Sequence, residues 1–129
     1  MANDELLSRI LLVEDEEDIR AVAEVALETV GGFQLQVCAS GQEALESIAG
    51  FAPQLVILDV MMPGMDGPET LREIRKLPEF AETPAVFMTA KVQADEIRSY
   101  LAEGAAGVIP KPFDPMALPD RVLEIWQSR

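Results

Sequence analysis

The sequence predicts an α/β fold of five successive βα units around one parallel sheet, and three observations carry that reading. Short, nearly unbroken apolar runs occur at Ile10-Leu11-Leu12-Val13, Leu55-Val56-Ile57-Leu58 and Ala85-Val86-Phe87-Met88, with weaker ones at Phe33 to Cys38 and Gly107 to Ile109. Runs apolar at every position read as strands buried on both faces. Amphipathic helical stretches alternate with them, which calls for right-handed crossovers and helices on both sides of the sheet. The 129 residues are 49% hydrophobic, enough for one core in a single domain.

The elements follow in order. After the first strand, Glu16, Glu17 and Asp18 begin a helix where its dipole favours acids, and Ile19, Val22, Ala23, Ala26, Leu27 and Val30 form its apolar stripe. Ser40 and Glu43 read as a capping box for a second helix carrying Ala44, Leu45 and Ile48 inward. Pro68 opens a third with Leu71 and Ile74, while Ile97 and Leu101 mark a fourth. Asp114-Pro115 starts the last, with Leu118, Val122 and Ile125 inward and Pro119 one turn in, where it is expected to kink or delay the helix. The doubly wound order 2-1-3-4-5, a flavodoxin-like three-layer sandwich, places the cleft outside the carboxyl ends of strands 1 and 3. Pro110 is tolerable because strand 5 is then an edge.

Composition excludes several kinds of chemistry. With 23 acidic and 10 basic side chains, a net charge of −13 and a pI near 4.2, the chain is ill suited to bind nucleic acid or an anionic membrane directly. It has no histidine, so it runs no Ser-His-Asp or Cys-His mechanism, builds no His-ligated metal site and carries no phosphohistidine itself. Its one cysteine, Cys38, forms no internal disulfide, is expected to pack in the core and suits a reducing compartment. Met1 to Leu7 shows neither a basic leader nor a long apolar stretch, and a cytoplasmic protein is expected.

The residues just past the strands are Glu14 and Asp15, Asp59, Thr89 and Lys111. Carboxylates brought together there cannot all ionise without a compensating cation. All-oxygen ligation with room for water suits Mg²⁺. A carboxylate held beside such a metal can attack a phosphoryl group, with a lysine neutralising the charge that develops. Asp59, ending the central strand, is the expected nucleophile; Lys111 is the charge clamp and Thr89 the hydroxyl donor to a phosphoryl oxygen.

Val13-Glu14-Asp15, Leu58-Asp59-Val60-Met61-Met62-Pro63-Gly64-Met65-Asp66-Gly67, Met88-Thr89-Ala90 and Lys111-Pro112-Phe113 together resemble the receiver domains of bacterial two-component response regulators, in their single-domain, chemotaxis-regulator-like form. The resemblance runs from about Ile10 to the last helix, giving one receiver domain over 1–129 with its core at about 8–128. It implies that Asp59 is phosphorylated from a phosphohistidine on a sensor histidine kinase or histidine phosphotransfer protein. It implies that Asp15, Asp59 and the backbone carbonyl of Met61 bind Mg²⁺, or Mn²⁺ in its place, with Glu14 assisting through water. Thr89 and Lys111 would hold the phosphoryl group, and the Lys111-Pro112 bond would be cis. Such a domain is a self-phosphorylating and self-dephosphorylating switch rather than a turnover enzyme. Receivers commonly carry an aromatic residue where this chain has Val108, so its signal to an output protein is expected through the face around Lys91 to Tyr100 and Val108.

Other functions fit less well. A haloacid-dehalogenase-type phosphatase needs a second acid two residues after its nucleophile, where this chain has Met61. A nucleotide or flavin binder needs a phosphate loop after strand 1, and Glu14 to Asp18 is instead a run of five acids. A phosphorylation-independent pseudo-receiver has no need of the full set of site residues found here.

Overall fold

A computed structural model describes residues 5–129; the first four residues of the Met1 to Leu7 stretch lie outside the described residues. The strands are β1 (Arg9–Val13), β2 (Gln34–Cys38), β3 (Leu55–Asp59), β4 (Ala85–Thr89) and β5 (Gly107–Pro110). The helices are α1 (Glu17–Glu24, continuing as a π-helical segment over Val25–Val30), α2 (Gly41–Phe51), α3 (Gly67–Arg75), α4 (Ala94–Ala102) and α5 (Leu118–Ser128), with a short 3₁₀ turn at Pro78–Phe80. All five strands are parallel in the order β2-β1-β3-β4-β5, the predicted order.

Strand alternation divides the core in two. Leu11, Val13, Val56, Leu58 and Phe87 pack with Ala44, Ile48, Leu71 and Ile74 of α2 and α3. Ile10, Leu12, Leu55, Ile57 and Val86 pack with Ala23, Ala26 and Leu27 of the first helix and Val122 and Ile125 of α5. Because both faces are covered, every residue of β3 and β4 is buried, which is why those runs are apolar throughout until the strand ends.

Register then sets what lies at those ends. Val13 is level with Leu58, so Glu14 comes level with Asp59. Asp59 is level with Met88 and Thr89 with Pro110, so Lys111 follows one step beyond. Pro110 sits on the edge strand, as expected.

Several local expectations need correction. Val22 and Val30 are 44% and 45% exposed rather than inward. The helix changes to i→i+5 bonding after Glu24, with the Gly31 amide donating to Ala26 O at 2.9 Å, and the changed winding turns Val30 outward. Val22 precedes that change and lines a surface groove instead. In α4 Ile97 packs against the core as expected, but its second inward residue is Tyr100, packed edge-on against Phe87 with ring centroids 5.6 Å apart, while Leu101 is exposed. Ser40 Oγ accepts from the Glu43 amide, but the Glu43 carboxylate accepts from the amide of Ala39, one residue before the cap, rather than from that of Ser40.

Helix α5 begins at Leu118, not at Asp114-Pro115. Asp114 instead folds a turn, its side chain accepting from the Met116 amide and its carbonyl from Ala117 and Leu118. Pro119 therefore falls in the first helical turn, where an N–H has no intrahelical partner to lose: of the two expected effects the helix start is delayed, and no kink arises.

Candidate functional site

The carboxyl ends of β1 and β3 bring three acids together. Glu14, Asp15 and Asp59 each offer a carboxylate oxygen within 4.8 Å of the others. Glu14 is fully buried and Asp59 is 2% exposed, so two of the three are withdrawn from solvent. Loop geometry holds Asp59 in place from the other side. The Gly67 amide donates to Val60 O at 2.9 Å, and a Cβ at Gly67 would come within 2.5 Å of Asp59 O, so the start of α3 approaches this strand end as only glycine allows.

Lys111 reaches the acids from the end of β5. Its Nζ donates to Asp59 Oδ1 at 2.9 Å and lies 3.0 Å from Glu14 Oε1. The latter contact pairs charges off the hydrogen-bond direction. Glu14 Oε2 accepts from the Glu16 amide at 3.1 Å. Among the described residues, two buried side-chain oxygens, Glu14 Oε1 and Asp15 Oδ1, have no hydrogen-bond partner. One ammonium thus faces three carboxylates, and the pocket still has acceptors to satisfy.

The electrostatics agree with this geometry. Burial raises the Asp59 carboxyl above its ordinary value, as does the Glu14 charge, although hydrogen bonds from Lys111 and Asp15 pull the other way. Asp15 is raised as well, by burial first and by Asp59 next. For Lys111, burial alone would lower the ammonium, but the hydrogen bond to Asp59 and the charges of Glu14 and Asp59 outweigh it and raise it. All three shifts describe a site that attracts a cation or proton.

The remaining predicted residues fall around this centre. Thr89 ends β4 with 2% exposure, and its Oγ1 accepts from the Lys91 amide at 3.0 Å. Met61 follows β3 with an exposed side chain, whereas Met62 is buried. The Lys111-Pro112 bond is cis. A groove of about 450 Å³ opens beside Lys111, lined by Ile19, Val22, Ala90, Pro112 and Phe113. Val108 is buried next to Phe87 on β4, and Cys38 is a buried core residue whose thiol burial raises.

One residue at this site escaped the sequence reading. Arg20, in α1, donates from Nη1 to Glu14 O at 2.9 Å and to Asp15 O at 3.3 Å. The available signal was a lone basic residue two positions past five consecutive acids.

A family model for the response regulator receiver domain matches residues 10–123. Response regulator Rre1 of Synechocystis is 37% identical over 107 residues, covering 82% of this chain and 46% of that protein. Regulatory protein AtoC of Escherichia coli is 34% identical over 108 residues, 84% of this chain and 23% of that one. The chain thus spans about half or less of the length of these curated relatives. Among solved structures, chemotaxis protein CheY4 of Vibrio cholerae superposes with a TM-score of 0.85 at 28% identity, covering 93% of this chain and 99% of that one. A putative response regulator from Chloroflexus aurantiacus gives 0.84 at 30% identity, with 96% and 100% covered. No helix among the described residues is long and apolar enough to cross a membrane.

Proposed function

The chain belongs to the response regulator receiver domain family, and from that premise we propose that Asp59 is its phosphoacceptor in a two-component phosphorelay. The observation that carries this reading is the pair of buried oxygens without a hydrogen bond, Glu14 Oε1 and Asp15 Oδ1, beside a nearly inaccessible Asp59 that already holds a lysine. A folded core leaves such acceptors unmet where a ligand supplies what is missing.

Asp15, Asp59 and the Met61 carbonyl would hold a divalent cation, with Glu14 acting through water. An all-oxygen set fits Mg²⁺, and Mn²⁺ takes the same donors. When bound, such an ion offsets the like charges and stabilises charge on phosphoryl oxygens. Asp59 attacks phosphorus through a carboxylate oxygen, and the bond to the donor's leaving group breaks, P–N to the imidazole of a phosphohistidine or P–O to the carboxylate of an acyl phosphate. With no histidine in the chain, the donor is a sensor histidine kinase, a histidine phosphotransfer protein or a small acyl phosphate. Lys111 pairs with the new phosphoryl group, and the Thr89 hydroxyl donates to one of its oxygens.

Receiver domains are signalling domains, and this one acts by changing affinity for an output partner. A coupling of roughly 1–3 kcal/mol between the phosphoryl group and the partner is the usual scale. The route runs from Thr89 through its Lys91 contact into the segment Lys91 to Tyr100 and the adjoining Val108, on the α4 and β5 side of the molecule. The strongly acidic chain contacts neither nucleic acid nor membrane directly and works in the cytoplasm.

Incubation with acetyl phosphate and Mg²⁺ followed by intact-mass measurement tests the reading. The native chain gains one phosphoryl mass and Asp59→Asn gains none; no gain in the former, or an equal gain in the latter, defeats it.

A further inference from the structure

We propose that Arg20 is a positioning residue for the acidic pocket, pinning the Glu14–Asp15 backbone so that both carboxylates stay turned towards Asp59. The inference rests on the pocket's reading as a divalent cation site. It concerns a residue that touches neither the ion nor the phosphoryl group.

The geometry is specific. A helical side chain leans back towards the helix N-terminus, and a long one from the first turn can reach the residues before the cap. Arg20 does so: its Nη1 reaches the carbonyls of the residues six and five positions earlier, at 2.9 and 3.3 Å. Glu16 is the N-cap, and the first helical bond runs from the Arg20 amide to Glu16 O at 2.9 Å. The Glu14 and Asp15 carbonyls therefore precede the first acceptor of the helix and receive no helical N–H.

That segment needs external support because of its charge. Five consecutive acids, Glu14 to Asp18, repel one another, and the Glu16 cap makes no side-chain hydrogen bond. Glu14 is tied at its amide to Cys38 O, at 3.0 Å, and at its carboxylate to the Glu16 amide. Arg20 adds the tie on the carbonyl side. Lys111 holds the carboxylates from within the pocket, and Arg20 holds their backbone from behind it.

Positioning and simple charge predict opposite signs. Removing a cation from beside an acidic pocket makes the pocket more negative, which by Coulomb's law alone tightens a divalent cation. Removing a support that orients metal ligands weakens binding by about 10–100-fold.

The test is calorimetric titration of the full chain with Mg²⁺, comparing the native protein with Arg20→Met and Arg20→Lys. Arg20→Met, which keeps an apolar stem and loses every donor, is expected to weaken Mg²⁺ about 10-fold. Arg20→Lys, able to donate to one carbonyl, is expected to recover part of that loss. Unchanged or tighter binding in Arg20→Met overturns the proposal. Amide exchange in metal-free protein gives a readout independent of the ion. The Glu16 amide, bonded to Glu14 Oε2, is expected to exchange faster in Arg20→Met while core amides of β3 are unaltered, and equal exchange at Glu16 counts against Arg20. If Arg20→Met does not fold, Arg20→Gln serves the same comparison with a smaller loss. Failure of the native chain to bind Mg²⁺ or accept a phosphoryl group strikes the pocket's reading instead, and the metal-free exchange still decides the role of Arg20.

Discussion

The two ends of the sheet hold their polar groups in opposite ways, near solvent at one end and buried at the other. At the amino ends of β1 and β3, Gln54 accepts from the Ser8 and Arg9 amides at 2.7 and 2.9 Å and donates to Glu5 Oε2 and Leu6 O at 2.8 and 3.0 Å. Trp126 Nε1 adds a bond to Glu5 O. Donors and acceptors match there, and the result is closure of the fold. At the carboxyl ends three carboxylates meet one ammonium, and two oxygens remain without a donor. The same strands thus carry a satisfied end and an unsatisfied end, and the unmet demand lies at the end where the cation is proposed to bind.

The largest effect that bears on this contrast comes from Lys111. Lys111→Met leaves two buried carboxylates without their cation and is expected to cost about 3 kcal/mol in metal-free urea unfolding. Added Mg²⁺ should restore part of it; a loss below about 1 kcal/mol would mean that the acids are not held together by the ammonium. Gln54→Ala is expected to cost about 0.5–1.5 kcal/mol by removing hydrogen bonds that lie near solvent at the other end, with no dependence on Mg²⁺. A metal-dependent loss there would erase the distinction between the two ends. Asp15→Asn should go the other way, raising metal-free stability by about 1 kcal/mol through relief of repulsion while weakening Mg²⁺. Unchanged melting together with unchanged Mg²⁺ affinity would remove Asp15 from the pocket.

The smallest effect is in pH dependence. Asp15 and Asp59 have folded values raised above the ordinary 3.8, so the folded state holds their protons more tightly than the unfolded chain does. Their contribution to stability is full below 3.8 and is lost as pH rises through the raised folded values. Lys111 is raised above 10.5, so its contribution is full below that pH and is lost as pH rises through its higher folded value. In EDTA, the stability gained by replacing both Asp15 and Asp59 with Asn should therefore widen between acid and neutral pH. A constant difference across urea midpoints would contradict the raised carboxyls.

Much of this was legible in the sequence for physical reasons. Strands covered on both faces must be apolar at every position, so β1, β3 and β4 stood out, and the first polar residue after each fell at the cleft. What escaped depended on contacts between elements. The π-helical segment at Val25–Val30 runs into Gly31, where a Cβ would lie 2.8 Å from Leu27 O, a packing detail with no periodic signature. Tyr100 rather than Leu101 turns inward because Phe87 offers a ring edge, and Asp114 forms a turn that delays α5. Arg20 escaped because its partners are backbone carbonyls, which every residue carries and no side-chain pattern reveals.

Chemical location of the phosphoryl group tests the central claim most directly. After labelling with acetyl phosphate and Mg²⁺, borohydride reduction converts an acyl phosphate at an aspartate into homoserine, and peptide mapping then reads the position. Homoserine is expected at position 59 alone and only when Mg²⁺ was present. Reduction at Asp15 or at any other acid with position 59 intact, or labelling that persists in EDTA, would contradict the account.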